Sequence, residues 1–194
     1  MSLNLFIIGP SGCGKSTQAK LVAAKYHLAH FSVGQLFRHA IEAKTDIGLQ
    51  AKTFVDQGLW VPDDLTIDLL TPSLADINHH DFIIDGFPRV LNQGKIIEHY
   101  LKSKNEPFSL LIHLKVVLAE IQARRQRLGE SFQDKDRTDN QPADIAQRQR
   151  SYDDTINPIK KYFHSMAKLF EVDGNRPIEP IFADICRAID KIHH

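Results

Sequence analysis

The sequence has few of the features that mark secreted, metal-rich or membrane proteins. Cysteine occurs only at Cys13 and Cys186, which excludes a disulfide framework and a cysteine-based zinc site. No apolar stretch reaches membrane-spanning length, and the N-terminus shows no charged leader pattern. The formal net charge is zero, which argues against a broad polyanion-binding surface. These absences predict a cytoplasmic protein with no nucleic-acid or membrane partner.

Histidine is more common but shows no ligand pattern. The pairs His79-His80 and His193-His194 lack the helix-spaced histidines, cysteines or carboxylates that would complete a metal site. We interpret them as solvated rather than metal-binding. With 194 residues, of which 42% are apolar, the chain is long enough for one α/β domain with small insertions.

One glycine-rich stretch carries the strongest chemical signal. Residues 9–17 read Gly-Pro-Ser-Gly-Cys-Gly-Lys-Ser-Thr and complete the pattern G-x-x-x-x-G-K-S. An apolar run precedes the stretch, and a helix-like segment follows it. Such a loop turns its amides toward an anion at a helix N-terminus, while Lys15 adds a charge and Ser16 a hydroxyl near Mg²⁺. The alternative is an ordinary glycine-rich turn, which the complete motif makes the less favoured interpretation.

Short apolar runs alternate with helix-like segments along the whole chain. Strands are predicted at residues 3–8, 28–31, 82–85, 109–114 and 168–172. Helices are predicted at 15–26, 32–44, 47–57, 61–76, 90–104, 117–128, 141–163 and 180–192. Ser32 and Gln35 have the spacing of a capping box, Pro158 predicts a bend, and residues 129–139 read as a mobile loop. The alternation predicts an α/β fold of the P-loop NTPase type, a five-stranded parallel sheet with helices on both faces.

One charged residue ends the third predicted strand, and a second follows it closely. Asp85 ends that strand, where an acid in P-loop enzymes helps to hold Mg²⁺; the alternative is a turn or cap residue. Pro88 fixes the backbone before Arg89, which can grip a phosphate with two parallel hydrogen bonds. The candidates for stabilising phosphoryl transfer are Arg38, Arg89, Arg124, Arg127, Arg137 and Arg148. Spacing alone does not show that these arginines converge.

Together these pieces resemble the adenylate kinases, and nucleoside monophosphate kinases generally, over nearly the full chain. Residues 9–17 are similar to the family's phosphate loop, and residues 31–38 to its I-S-T-G-D-x-x-R segment. Asp85 to Arg89 with Gln93 is similar to D-G-F-P-R-x-x-x-Q. Arg137-Thr138-Asp139 with Arg148 is similar to the R-x-D-D segment and the arginine that follows it. The combination is highly specific, whereas no single piece is.

The resemblance implies a role for each matching residue. The implied ATP-binding residues are Gly12, Cys13, Gly14, Lys15, Ser16 and Thr17. The implied AMP-binding residues are Ser32, Val33, Arg38, Val61, Gly86, Arg89 and Gln93, with the two arginines on the phosphate and Gln93 on adenine. The implied catalytic residues are Lys15, Arg89, Arg124, Arg137 and Arg148. Ser16 and Asp85 would hold Mg²⁺, the aspartate through water.

The implied activity is that of a short-lid adenylate kinase, the reversible conversion of Mg·ATP and AMP into two ADP. Residues 1–30, 62–127 and 139–194 would form the core domain, residues 31–61 an AMP-binding insertion and residues 128–138 a short lid. ATP and AMP are the expected partners, Mg²⁺ is the expected cofactor, and we expect a monomer.

Three departures from the family pattern keep alternatives open. Val33 replaces a threonine, and Gln35 replaces an aspartate. Leu128 stands where a second arginine is usual, so Arg127 either substitutes for that arginine or is solvated. The alternatives are a UMP/CMP-type kinase and a nucleotide-binding regulatory protein with a decayed site. Pyrimidine kinases carry asparagine and aspartate just after Phe-Pro-Arg, and Asn92 lies in this region here.

Overall fold

A five-stranded parallel sheet forms the centre of the protein. The computed structural model describes residues 2–76, 81–128 and 142–193. Within them the strands are β1 (Asn4–Ile8), β2 (Ala29–Ser32), β3 (Phe82–Asp85), β4 (Leu110–Lys115) and β5 (Leu169–Asp173). The helices are α1 (Lys15–Tyr26), α2 (Val33–Glu42), α3 (Asp46–Asp56), α4 (Asp63–Asp76), α5 (Leu91–Ser103), α6 (Leu118–Leu128), α7 (Pro142–Ser165) and α8 (Ile178–Asp190). The predicted fold class is confirmed.

The order of the strands places the glycine-rich loop after the central strand, at the end of the sheet where the carboxyl ends of the strands lie. The strands lie in the order β2-β3-β1-β4-β5, and all pairs are parallel. The chain moves from β1 to one side of the sheet and returns to the other side for β4. Ile7 in β1 pairs with Asp85 in β3, so the two strands end side by side. Ligands bind at such a switch point in open parallel sheets, outside the carboxyl ends of the strands.

Helices cover both faces of the sheet because successive side chains of each strand point to opposite sides. Phe6 and Ile8 of β1 join a core with residues of α5 and α7, whereas Leu5 and Ile7 join a second core with residues of α1 and α8. The ring of Phe6 stacks on the ring of Phe108 with centroids 4.8 Å apart. Burial of β1 on both faces fixes the strand that carries the glycine-rich loop.

Most element boundaries lie within one or two residues of the predicted ones, including the helix start predicted at Ser32, which is the N-cap of α2. Ser32 precedes α2, yet its side chain makes no capping hydrogen bond. Ser32 is still in β2, where it pairs with Asp85, and its backbone is extended. A side-chain cap occurs instead at α3, where the Gly48 amide donates to Thr45 Oγ1 at 3.1 Å. Helix α8 begins at Ile178, two residues before the predicted start.

Several predictions concern the gaps between the described ranges. The lid at residues 128–138, apart from the backbone of Leu128 at the end of α6, lies outside the described residues. So do the predicted mobile loop at 129–139, Arg137, the pair His79-His80 and His194. Pro158 lies inside the continuous helix α7, and the bend there stays a prediction. In the described ranges, none of the helices combines the length and the apolar character needed to cross a membrane.

Candidate functional site

The loop between β1 and α1 has the backbone of an anion cradle. Gly12 and Gly14 have φ angles of 85° and 95°, in the left-handed region that side chains disfavour. The second of these glycines precedes the first turn of α1, whose amides and dipole favour an anion. Lys15 Nζ donates to the Pro10 carbonyl at 3.3 Å, which folds the lysine back over the loop. The side chain of Cys13, within the loop, is buried in the core, and burial raises the pKa of its thiol.

Asp85 and Ser16 meet beside this loop. Ser16 Oγ donates to Asp85 Oδ2 at 2.5 Å, while the other oxygen of the carboxylate, Oδ1, is buried without a hydrogen-bond partner. A buried carboxylate oxygen in this state needs a proton donor or a cation. In the parts of the chain that the structure describes, no three histidine, cysteine or acidic side chains cluster as a metal cage. One carboxylate and one hydroxyl suit Mg²⁺, which keeps several waters and takes its remaining ligands from phosphates.

Two cations converge above the end of β3. Gly86 has a φ of 79°, and its amide donates to the Ile7 carbonyl at 2.9 Å, which ties β3 to β1. A Cβ at this glycine would lie 3.3 Å from Arg89 Nη2 and 3.7 Å from Lys15 Cε. Arg89 Nε donates to the Gly86 carbonyl at 2.8 Å. The glycine therefore leaves room for a lysine and an arginine to face the same space.

Two cavities open from this region. The inner cavity, with the space open to solvent, measures about 530 Å³ and is lined by Ile8, Gly9, Ser11, Lys15, Trp60, Gly86, Pro88, Arg89, Arg148, Tyr152, Thr155, Ile156 and Ile159. The outer cavity, with the space open to solvent, measures about 1560 Å³ and lies between α2, the segment from α3 to α4, and the start of α5. Trp60, Arg89 and Arg148 line both. Arg148 is only 5% exposed, so a buried positive charge lies at the junction.

The outer cavity contains most of the predicted AMP-binding residues. Val33, Arg38, Val61, Arg89 and Gln93 line it. A Cβ at Gly34 would lie 3.4 Å from Arg38 Nη1 and 3.9 Å from Arg89 Nη2, so both guanidinium groups lie beside one backbone position. The structure does not bring the other two predicted residues there. Ser32 ends β2, and Gly86 lines the inner cavity only.

Gln93 is held in place by the chain that precedes it. The side chain is 1% exposed, and its Oε1 accepts a hydrogen bond from the Arg89 amide at 2.9 Å. An amide oxygen has a second lone pair and the amide nitrogen has two protons, so the group retains the capacity to bind a base edge. Asn92 instead donates to Asp63 Oδ2 at 2.7 Å on the exposed side of α5. The residue that faces the cavity is therefore Gln93.

The two arginines of α6 have different surroundings. Arg124 is 19% exposed and donates to three oxygens: Glu120 Oε1 at 2.8 Å, the Cys13 carbonyl at 2.9 Å and the Gly174 carbonyl at 2.5 Å. It thus joins the glycine-rich loop to the turn after β5. Arg127 is 66% exposed and donates to the same Glu120 oxygen at 2.9 Å. Neither arginine lines a described cavity, but the greater exposure of Arg127 favours its solvated alternative.

Sequence reasoning missed the wall formed by Trp60 and α7. No motif assigns Trp60, Tyr152 or Thr155, although the last two lie four and seven residues after Arg148, on the same helical face. Tyr152 is bound from behind by His113, whose Nε2 lies 2.6 Å from the tyrosine hydroxyl. Helical periodicity from Arg148 was the signal available for the α7 residues.

The parallel sheet, the phosphate loop at its switch point and the convergent cations define a P-loop enzyme of phosphoryl transfer. A family model described as adenylate kinase matches residues 7–168. The adenylate kinase of Clostridium novyi is 32% identical across 97% of this chain and 99% of its own length. Those of Bacteroides fragilis (32%, with 98% and 100% covered) and Leifsonia xyli subsp. xyli (36%, with 95% and 92% covered) are similar over comparable spans. The chain belongs to the adenylate kinase family, which confirms the resemblance.

Proposed function

We propose that this protein transfers a phosphoryl group reversibly from ATP to AMP and produces two ADP. The observation that carries the proposal is the junction of the two cavities. A phosphate loop with its lysine lines one end of the inner cavity, and the outer cavity meets it at Arg89 and Arg148. A donor phosphate on the loop and an acceptor phosphate at the junction would then lie next to each other, which is the geometry of a direct transfer.

On the donor side, the loop amides from Gly12 to Thr17 would hold the β- and γ-phosphates of ATP, with Lys15 adding a charge. Ser16 would bind Mg²⁺ through its hydroxyl and Asp85 through water; the unpartnered Asp85 Oδ1 supports this assignment. When bound, the ion neutralises part of the phosphate charge. These two residues are then positioned to orient the phosphates against the loop.

On the acceptor side, Arg38 and Arg89 would bind the AMP phosphate, because both guanidinium groups lie beside Gly34. Gln93 would pair with adenine, which offers a ring acceptor beside an amino donor. Val33 is buried at the cavity wall, where the family's threonine would offer a hydroxyl. Its methyl groups can pack against the base, but one hydrogen bond of about 1 kcal/mol is absent. Val61 completes the wall of the outer cavity, whereas the roles of Ser32 and Gly86, which do not line it, stay predictions.

The transfer itself needs no nucleophilic side chain. An oxygen of the AMP phosphate attacks the γ-phosphorus of ATP, and the bond from that phosphorus to the bridging oxygen of ADP breaks. Arg124, Arg137 and Arg148 would stabilise the charge that spreads over the equatorial oxygens. Arg148 is buried at the junction, and Arg124 is already hydrogen-bonded to the phosphate loop.

We also propose the domain division predicted from the sequence, a core with an AMP-binding insertion at residues 31–61 and a lid at 128–138. Closure of both segments would exclude water, which would otherwise accept the phosphoryl group. The outer cavity supports the insertion, since α2, α3 and the following segment form one wall of it. A cytoplasmic setting and a monomeric state stay predictions.

A coupled assay of ADP release tests the proposal with AMP, GMP, CMP and UMP as acceptors. We expect kcat/KM for AMP to exceed that for each other acceptor by at least roughly tenfold, a difference of about 1.4 kcal/mol. Comparable values for CMP or UMP would favour the pyrimidine alternative. Nucleotide binding without turnover would favour the regulatory alternative.

A further inference from the structure

Trp60 is the only tryptophan in the chain, and it lies where the two cavities meet. It belongs to the segment between α3 and α4 and contacts two other parts of the site. The Arg89 guanidinium carbon lies 4.6 Å from the centroid of its ring. The indole Nε1 donates to the Ser151 carbonyl of α7 at 3.1 Å. The two contacts use different parts of the indole, its face and its N–H group.

The ring contact bears on the orientation of Arg89. One edge of this guanidinium is held by the bond from Nε to the Gly86 carbonyl, and the indole supports its face. A planar cation that is bound along an edge and against a face has little freedom to rotate. Stacking of this kind corresponds to about a 2- to 30-fold change in an equilibrium constant. Trp60 therefore affects the direction in which the remaining nitrogens of Arg89 point.

The N–H contact bears on the wall of the outer cavity. Ser151 lies between Arg148 and Tyr152, which both line the inner cavity. A bond from Trp60 to this carbonyl joins the segment from Gly58 to Val61, which lines the outer cavity, to the helix that carries Arg148. The indole thus connects the wall of the outer cavity with the junction between the two cavities.

We propose that Trp60 is a positioning residue for the acceptor phosphate, which it orients through Arg89 while it holds the 58–61 segment against α7. The inference rests on the proposed AMP site and adds a residue to it. An aliphatic side chain would remove both contacts. A phenyl ring would keep the stacking surface and lose the N–H donor.

Kinetics of two variants test the two contacts separately. Trp60→Leu should lower kcat/KM for AMP about tenfold, mainly through KM for AMP, with KM for ATP changed less than about twofold. Trp60→Phe should lower it about threefold, because only the hydrogen bond is lost. Phe182→Leu is the matched control. Phe182 lies on α8, where its ring is 6.0 Å from Lys25 Nζ, and it lines neither cavity. The control should keep the wild-type constants.

A cycle with Arg89→Ala separates positioning from mere packing. The step from Trp60→Phe to Trp60→Leu should cost about threefold in the wild-type background and nothing measurable when Arg89 is alanine, because the group through which the ring acts is gone. If the loss persists without Arg89, or if Trp60→Leu equals the wild type, the proposal is wrong. Should Trp60→Leu fail to fold, as judged by circular dichroism, the comparison of Trp60→Phe with the wild type still decides the N–H contact.

The failure of this inference is distinguishable from failure of the proposed function. A wild-type protein that does not phosphorylate AMP overturns both, whereas an active wild type with an unimpaired Trp60→Leu overturns only the role of Trp60. Tryptophan emission offers a readout without turnover, since it arises from this one residue. AMP alone should change the emission of the wild type, and Arg89→Ala should lose that change. If the tryptophan emission does not change when AMP is added, the proposed contact with the acceptor site is contradicted.

Discussion

The two arginines of α6 provide the sharpest test of the catalytic assignment, because they share one partner and differ in the rest of their contacts. Both donate to Glu120 Oε1, at 2.8 Å from Arg124 and 2.9 Å from Arg127. Only Arg124 continues inward to the Cys13 carbonyl in the phosphate loop and to the Gly174 carbonyl. Alanine substitution of each therefore removes a cation from the same helix at two different depths.

The expected magnitudes differ by more than two orders. A positioned arginine contributes about 10³-fold or more to phosphoryl transfer, so Arg124→Ala should lower kcat about 10³-fold, or about 4 kcal/mol of barrier. Arg127→Ala should change kcat less than about twofold, because an exposed ion pair is screened and its side chain is mobile. Arg124→Lys should not restore the rate, because one ammonium cannot replace a fork that reaches three acceptors.

The assay is steady-state ADP release at saturating AMP and ATP, with circular dichroism to verify folding of each variant. A tenfold loss of kcat in Arg127→Ala would refute the reasoning and indicate that this arginine moves inward to replace the arginine missing at Leu128. A kcat near the wild-type value in Arg124→Ala would also refute the reasoning. Arg124 would then serve only as a structural link between the phosphate loop and the turn after β5.

Three further outcomes follow from other parts of the site. Lys15→Met should abolish turnover with little loss of thermal stability, and a near wild-type kcat with an unchanged KM for ATP would contradict the loop assignment. Gln93→Leu should erode the preference for AMP over the other monophosphates, measured as kcat/KM ratios, because the base edge loses its partner. Burial lowers the pKa of His113, so the unfolded chain takes up the proton first and stability declines as pH falls below about 6.5. His113→Gln should flatten this decline in Tm without removing it, since burial also lowers the pKa of His30; an unchanged pH dependence would contradict the assignment.

Residues whose environment is set by local pattern were predictable from the sequence. Strands β1 and β3 are short apolar runs that end at glycine-containing turns, and alternation with helices requires parallel pairing. The phosphate loop followed from its own residue order. Ser32 marks the limit of such reasoning, because a spacing that favours a helix cap competes with the pairing of the same residue in β2.

The wall of the outer cavity could not be predicted, because it forms by tertiary packing that no local sequence pattern encodes. Trp60 reaches Ser151 across 91 positions of chain, and Arg124 reaches Cys13 across 111. The convergence of Arg38 and Arg89 beside Gly34 is likewise a result of how α2 packs at the end of β3. Spacing identified these arginines as candidates, and only the folded chain shows which of them face a common space.

Arg89 and Arg148 line both cavities, so substitutions there differ in their consequences from substitutions that affect one cavity alone. Residues such as Phe37 and Val61 line only the outer cavity, so they can change the acceptor base without direct contact with the inner one. A change at the shared arginines would alter the surroundings of both phosphates at once. On the proposed function, exchanges of these apolar residues beside Gln93 could change the acceptor preference, while phosphoryl transfer would depend on a few charged positions. A library for a new acceptor would accordingly vary the apolar wall and leave the junction intact.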